Sequence, residues 1–181
     1  DRLVAGRHSA LVALGYTDHE TAGTATTRNV EYGYDATSST RLFALAGSGF
    51  RAPDATDRYG FGGNPDLKPE KSRNYEAGLR QRLGTHQQVE LSAFRNEIDD
   101  LIEYVVTDFD TFDGQNFNVA KARIEGVEAS WHYADGPWQA SIEALYQDPK
   151  NLADDSQLLR RAKRNLTVIL ARTFGPVQLG V

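Results

Sequence analysis

Apolar and polar residues alternate along much of this 181-residue chain, and this period of two restricts the fold more than any other feature. Successive side chains of a β-strand point to opposite faces of the sheet, so strict alternation indicates a strand with one apolar face. In 137–147, that face carries Trp138, Ala140, Ile142, Ala144 and Tyr146. Segments with similar alternation are 29–35, 74–83, 88–97, 126–133 and 165–171, while 8–17 and 40–50 alternate less cleanly. With a last strand that stops at Val181, the sequence predicts an all-β protein of about nine strands.

Short and long connections alternate between these segments. Turn-forming residues occupy 37–39, 84–86, 135–137 and 175–176. Long polar links occupy 51–73, 99–122 and 148–164, and a shorter one occupies 18–26. Short turns on one side and long loops on the other are typical of an antiparallel up-and-down transmembrane β-barrel. Aromatic residues near the strand ends suit the girdles of such a barrel: Tyr16, Tyr34, Tyr75, Trp131, Tyr133, Trp138 and Tyr146.

Composition alone leaves a soluble antiparallel sandwich or barrel open, because the mean hydropathy is −0.52 and 40% of residues are hydrophobic. Two features favour the transmembrane barrel. The apolar faces contain small residues that fill a sandwich core poorly, such as Ala77, Ala93 and Ala129. The opposite faces carry charges in mid-strand, which a wet lumen tolerates: Glu76, Arg80, Glu90, Glu128 and Glu143. The net charge of −5 argues against nonspecific nucleic-acid binding, so no nucleic acid is expected as a partner.

No motif in the chain predicts a catalytic residue, a cofactor or a metal site. There is no cysteine, and His19–Glu20 lacks the second histidine of a zinc-protease helix. The acidic residues of 108–113 resemble a calcium loop, but Phe112 occupies its fifth ligand position and Val119 its twelfth. We therefore expect no enzymatic activity, no cofactor and no metal ligand.

The most specific signal is the stretch 49–72, which reads GFRAP at 49–53, YG at 59–60 and GNPDLKPEKS at 63–72. Its prolines fix φ and remove backbone donors, so a strand must end here in a rigid loop. Together these residues resemble the FRAP…NPxLkPE signature of TonB-dependent outer-membrane receptors. Three further matches follow in order, namely FRNEIDDLI at 94–102, ARIEGVEA at 122–129 and LLRRAK at 158–163. The last is similar to the cobalamin-transporting branch of that family.

The resemblance implies a barrel of about 22 strands, closed by an N-terminal plug, in the outer membrane of a Gram-negative bacterium. Such receptors take up a scarce nutrient with energy relayed by TonB. Residues 1–181 are expected to form a partial β-barrel domain, without the plug and the remaining strands. The expected partners are cobalamin or another metal chelate as the transported ligand, the TonB complex through the plug, and outer-membrane lipid with lipopolysaccharide.

Ligand binding is expected on the long loops, where polar and aromatic side chains converge over a wide mouth. The candidates are Tyr59, Phe61 and Asn64 on the first long loop and Arg160 on the last. The resemblance implies that Arg160, the first arginine of LLRRAK, contacts cobalamin. The basic run 160–164 is also compatible with a solvated loop end or with lipopolysaccharide phosphate. Two other functions stay open: a siderophore or other metal-chelate receptor of the same family, and a passive structural or adhesive β-domain.

Overall fold

The computed structural model describes the backbone of residues 1–181 and the side chains of 1–119 and 121–181. Ten antiparallel strands form one sheet in which each strand pairs with its neighbours in sequence. The strands are β1 (Arg2–Ala5), β2 (His8–His19), β3 (Gly23–Asp35), β4 (Thr40–Arg51), β5 (Glu70–Leu83), β6 (Gln87–Val106), β7 (Gly114–Asp135), β8 (Trp138–Asn151), β9 (Arg164–Phe174) and β10 (Val177–Gly180). The predicted all-β, up-and-down architecture is confirmed. The additional strand is β1, which is too short for a test of alternation.

One short helix, α1 (Ala55–Tyr59), lies between β4 and β5. Among the described residues, no helix is long and apolar enough to cross a bilayer.

The predicted polar link 99–122 is wrong for most of its length. β6 continues to Val106 and β7 begins at Gly114, and the two strands pair from Leu101 opposite Val119 to Val106 opposite Gly114. The β-branched and aromatic residues of 102–106 favour a strand. This extension carries polar residues on both faces. Alternation identifies a strand only where one face is apolar, so the test did not detect the extension.

The register sorts the alternating side chains onto two faces. Arg80 lies opposite Glu90, Glu90 opposite Ser130, and Ser130 opposite Glu143. This face, which we call the concave face, lines a concavity of about 280 Å³ whose residues include Glu76, Glu90, Glu128, Ser130 and Glu143. The other face, the convex face, exposes large apolar side chains that include Leu14, Val30, Leu91, Val127, Ile142 and Val168. The alternation predicted the same two faces for Val30, Leu91, Val127, Ile142 and Val168.

Aromatic residues of the convex face lie near the two ends of the strands. Tyr16, Tyr75 and Tyr146 lie near the end with the long loops, which we call the loop end. Tyr34, Trp131, Tyr133 and Trp138 lie near the opposite end, the turn end. The rings of Trp131 and Tyr133 stack with centroids 6.1 Å apart. The aromatic residues therefore form two belts with an aliphatic zone between them.

A small buried core lies at the loop end of the concave face. It consists of Ile98, Leu101, Ala122, Ile124 and Leu158, with Phe94 and Val119 packed against it. Ile98 and Leu101 are three residues apart, and both enter the core because Asp100 between them has a φ of 59°. This core supports the loops above it.

Candidate ligand-binding mouth

The loop 52–69, which we call the first loop, begins with a capped helical turn. The Asp54 side chain accepts the N–H of Asp57 at 2.8 Å, and the Asp57 side chain accepts the N–H of Asp54 at 3.1 Å. This capping box satisfies two backbone donors at the start of α1. The Asp57 carboxylate also accepts Nη1 of Arg51 at 2.8 Å, which ties the helix to the end of β4. The first loop therefore leaves the barrel wall in a fixed direction.

Amide side chains attach the first loop to β7. Nδ2 of Asn116 donates to the carbonyl of Asp57 at 3.0 Å, and the carbonyl of Asn116 accepts Nδ2 of Asn64 at 3.0 Å. Asn118 accepts the N–H of Lys68 at 2.8 Å and donates to the carbonyl of Lys68 at 3.0 Å. One amide side chain both donates and accepts, so it can satisfy a loop backbone that lacks a strand partner. We call Asn64, Asn116 and Asn118 the amide ladder.

Two of the predicted binding residues on the first loop are open to solvent. Tyr59 ends α1 and is 73% exposed, and Phe61 is 81% exposed. The ring of Phe61 stacks on Tyr104 of β6, with centroids 5.9 Å apart and an interplanar angle of 23°. Gly62 has a φ of 65°, and a Cβ there would collide with the Tyr104 ring. The glycine therefore permits the close approach that leaves Phe61 and Tyr104 as a paired aromatic surface.

Asn64 was predicted as a ligand contact, but its side chain is hydrogen-bonded within the protein. Its Nδ2 is used by the carbonyl of Asn116, and its Oδ1 accepts the N–H of Asp66 at 3.0 Å. The side chain thus holds the loop in shape and has little capacity left for a ligand.

The loop 152–163, which we call the last loop, is anchored by one leucine. Leu158 is 2% exposed within the buried core, and its N–H donates to the carbonyl of Pro149 at 3.1 Å. Two residues later, Arg160 has a φ of 56° and is exposed. The left-handed residue turns the chain sharply, so Leu158 points into the core while Arg160 points away from it.

Arg161 acts on two carboxylates at the base of the mouth. The pKa of Glu103 lies above its usual value, because burial raises it more than the charge of Arg161 lowers it. Burial also raises the pKa of Glu70, but hydrogen bonds from Arg51 and from the N–H of Ile102 outweigh it, aided by the charges of Arg51 and Arg161. The pKa of Glu70 therefore lies below its usual value. Arg161 is close enough to influence β5 and β6 electrostatically from the last loop.

The structure brings two of the predicted site residues to the same place and leaves Arg160 apart from them. Phe61 and Asn64 both contact the extension of β6 and β7. Among the described side chains, no hydrogen bond, ion pair or ring contact joins Arg160 to Tyr59, Phe61 or Asn64. Sequence reasoning missed Tyr104, and it named Arg161 only as a member of the basic run 160–164. Tyr104 was missed because its strand was interpreted as a link, although the β-branched run around it carried a usable signal.

Carboxylates dominate the middle of the concave face. Glu76, Glu90, Glu128 and Glu143 line the same concavity, and Nε of Arg80 donates to Glu90 at 2.5 Å. Within the described part of the chain, no group of three or more histidine, aspartate or glutamate side chains is placed to hold a metal ion. These charges give the concave face the character of a water-facing wall.

Comparison with known proteins identifies the barrel. The family described as "TonB dependent receptor-like, beta-barrel" matches residues 1–177. The "Vitamin B12 transporter BtuB" of Vibrio vulnificus (strain YJ016) is 35% identical over 163 residues, which are 88% of this chain and 26% of that protein. The chain thus spans about a quarter of the length of the curated relatives it matches.

Solved structures show the same fold. The "Copper transporter OprC" superimposes with a TM-score of 0.76 at 24% identity, over 98% of this chain and 31% of that one. The siderophore receptor PirA from Acinetobacter baumannii superimposes with a TM-score of 0.74 at 20% identity, over 94% of this chain and 29% of that one. By the family match over nearly its whole length, the chain belongs to the TonB-dependent receptor-like β-barrel family.

Proposed function

We propose that this chain is part of an outer-membrane active transporter that binds cobalamin at its mouth and imports it with energy relayed by TonB. TonB-dependent receptors are outer-membrane proteins of Gram-negative bacteria. The observation that carries the ligand assignment is the 35% identity to a vitamin B12 transporter over 88% of the chain. The TonB complex would act through a plug, and residues 1–181 would supply part of the surrounding wall.

The last loop supports cobalamin as the ligand. Leu158 fixes the start of the LLRRAK segment in the buried core, and the exposed Arg160 follows it. Cobalamin carries peripheral amides and a phosphate. A guanidinium with five donors in a rigid fork suits these groups better than an ammonium does. Arg160 would therefore be the principal ligand contact on this loop.

The first loop supports a ligand with both polar and apolar surface. The stacked Phe61 and Tyr104 rings, with the exposed Tyr59, offer apolar contact area. The amide ladder keeps this surface rigid, which lowers the entropy lost on binding. Asn64 would contribute through this positioning. The exposed rings of the first loop and the exposed Arg160 and Arg161 of the last loop also suit an anionic siderophore, which is the second candidate within the family.

The test is equilibrium binding of labelled cobalamin to the intact receptor and to Arg160→Ala. A hydrogen bond from a charged group contributes about 1.5–3 kcal/mol, and each 1.4 kcal/mol is tenfold in affinity, so we expect about tenfold weaker binding or more. Arg160→Lys should recover part of this loss. The matched control is Arg164→Ala, since Arg164 lies over the Tyr146 ring on the convex face, and its loss should leave cobalamin affinity unchanged.

Unchanged affinity in Arg160→Ala would remove the residue-level support for cobalamin. The same preparations should then be titrated with a ferric siderophore. Saturable siderophore binding without cobalamin binding would favour the second candidate. Absence of both, together with normal barrel assembly, would favour a passive β-domain.

A further inference from the structure

The convex side of β9 carries an arginine at each end of an aliphatic run. Its convex-face residues, in order, are Arg164, Leu166, Val168, Leu170, Arg172 and Phe174. Arg172 follows Arg164 by eight positions, which is about 26 Å along the strand at about 3.3 Å per residue. At a tilt of about 40° this is about 20 Å along the membrane normal, and long side chains extend it towards the apolar band of about 25 Å. Both guanidiniums therefore lie near the bilayer interfaces, where a lipid-facing arginine costs little.

Arg172, at the turn end, is surrounded by apolar and aromatic side chains. Its Cζ lies 4.9 Å from the centroid of the Trp138 ring and 4.6 Å from that of Phe174. Its ladder partners are Trp138 on β8 and Leu179 on β10, so the strands on both sides are occupied at this level. Leu170 and Phe174 precede and follow it on the same face of β9. The cation thus has two rings to stack on.

The described side chains around Arg172 offer it no counter-charge. Among the described side chains, no carboxylate lies within salt-bridge distance of its guanidinium. Trp138 pairs with Arg172 on one side and with Asp135 on the other, so Asp135 is the convex-face carboxylate at this level of the sheet. It is engaged by His86 Nδ1 at 3.5 Å and by the Tyr133 hydroxyl at 3.4 Å. Within the described strands the Arg172 guanidinium therefore has no anionic partner, and it is available to a ligand on the lipid side of the wall.

We propose that Arg172, Trp138 and Phe174 form a binding site for the headgroup phosphate of an anionic glycerophospholipid in the turn-side leaflet. The rings orient the planar guanidinium by cation–π contact but accept no strong hydrogen bond, so its donors stay available. The guanidinium fork matches two phosphate oxygens. An anionic headgroup is preferred because the ammonium of a zwitterionic one competes for its own phosphate. The site requires only that the convex face meets lipid, and it is independent of the transported ligand.

The test uses the intact receptor in phosphatidylcholine vesicles that contain a minor fraction of phosphatidylglycerol. One lipid and then the other is brominated, and quenching of tryptophan fluorescence is measured. The part that belongs to Trp138 is the difference between the receptor and its Trp138→Phe variant. We expect brominated phosphatidylglycerol to be enriched at Trp138 over brominated phosphatidylcholine by more than about fivefold, because any single cation near a lipid surface gives about fivefold and the guanidinium fork adds to it. Arg172→Gln should abolish this preference. Arg172→Lys should keep an intermediate value, since it retains the charge and loses the fork.

Arg164→Gln is the matched control. It removes an equal charge from the same face of the same strand, but at the loop end, so the preference measured at Trp138 should stay at its original value. A preference that survives in Arg172→Gln overturns the proposal. So does a preference that falls equally in Arg164→Gln, because total charge would then explain it. Full retention of the preference in Arg172→Lys also overturns the proposal, because a charge without the guanidinium fork would then explain it.

Discussion

The Glu70 carboxylate receives two hydrogen bonds from the Arg51 guanidinium, one from Nε at 2.8 Å and one from Nη2 at 2.9 Å. Arg51 ends β4, Glu70 begins β5, and the two residues lie opposite each other in the register, so the pair closes the base of the first loop. Glu70 also accepts the N–H of Ile102 at 2.8 Å. One carboxylate thus joins both ends of the first loop to β6.

Glu70→Gln should loosen the first loop without unfolding the barrel. A charge-assisted hydrogen bond contributes about 1.5–3 kcal/mol, and the half-exposed Arg51 reduces this, so we expect local opening to become easier by about 1 kcal/mol. Hydrogen exchange of amides in 52–69 measures it. The control is Glu97→Gln, which removes another carboxylate that pairs with arginines, at 2.8 Å from Arg95, but lies away from this loop. Equal protection of the loop in both variants would contradict the role given to Glu70.

The first loop should also loosen in acid. The pKa of Glu70 lies below the ordinary value of 4.5 because hydrogen bonds from Arg51 and Ile102 outweigh burial. A carboxylate with a lowered folded pKa stabilises above its unfolded pKa, and this stabilisation is lost as the pH falls through the folded value. Exchange protection of the loop should therefore be constant above about pH 5 and fall below pH 4.5. In Glu70→Gln this contribution to the pH dependence should be absent.

The sequence located the first loop but not its attachment. The prolines of 53–69 correctly predicted the end of β4, since a residue without an N–H cannot continue the ladder of hydrogen bonds. The amide ladder was not predictable, because Asn64 and Asn116 are 52 residues apart and meet only once β6 and β7 have paired. Asparagine in a loop is equally compatible with a ligand contact and with a backbone clamp. Only the partners of its two side-chain atoms distinguish the two roles.

Leu158→Ala should release the last loop. Truncation of a buried leucine costs about 2–5 kcal/mol, and here the cost falls on the attachment of 152–163 because Leu158 is the loop's contribution to the buried core. Limited proteolysis of the intact receptor should show cleavage in this loop. The adjacent Leu159 is 64% exposed, so Leu159→Ala should change cleavage little. Comparable cleavage in both variants would show that Leu158 does not anchor the loop.

Alternation was sufficient to assign the faces but not the depth of a residue in the wall. A period of two places Ala129 and Ser130 on opposite faces from the sequence alone. Their distance from each membrane interface depends on how the strand is aligned with its neighbours, and only the pairing register gives that alignment. On the convex side of β7, Ala129 lies midway between Glu125, opposite Arg95 near the loop end, and Tyr133 near the turn end.

Ala129→Arg should therefore be poorly tolerated and Ser130→Arg well tolerated. Ala129 lies at the centre of the convex face, flanked by Leu91 and Ala144, where a lipid-facing arginine costs about 2–4 kcal/mol. Ser130 lies on the concave face between Glu90 and Glu143, so an arginine there gains carboxylate partners and should cost less than about 1 kcal/mol. The free energy of folding of the intact receptor into lipid vesicles distinguishes the two. Because the substitutions add the same side chain to adjacent residues of one strand, the difference between them reports the environment of each face. Equal costs at the two positions would mean that the convex face does not meet lipid.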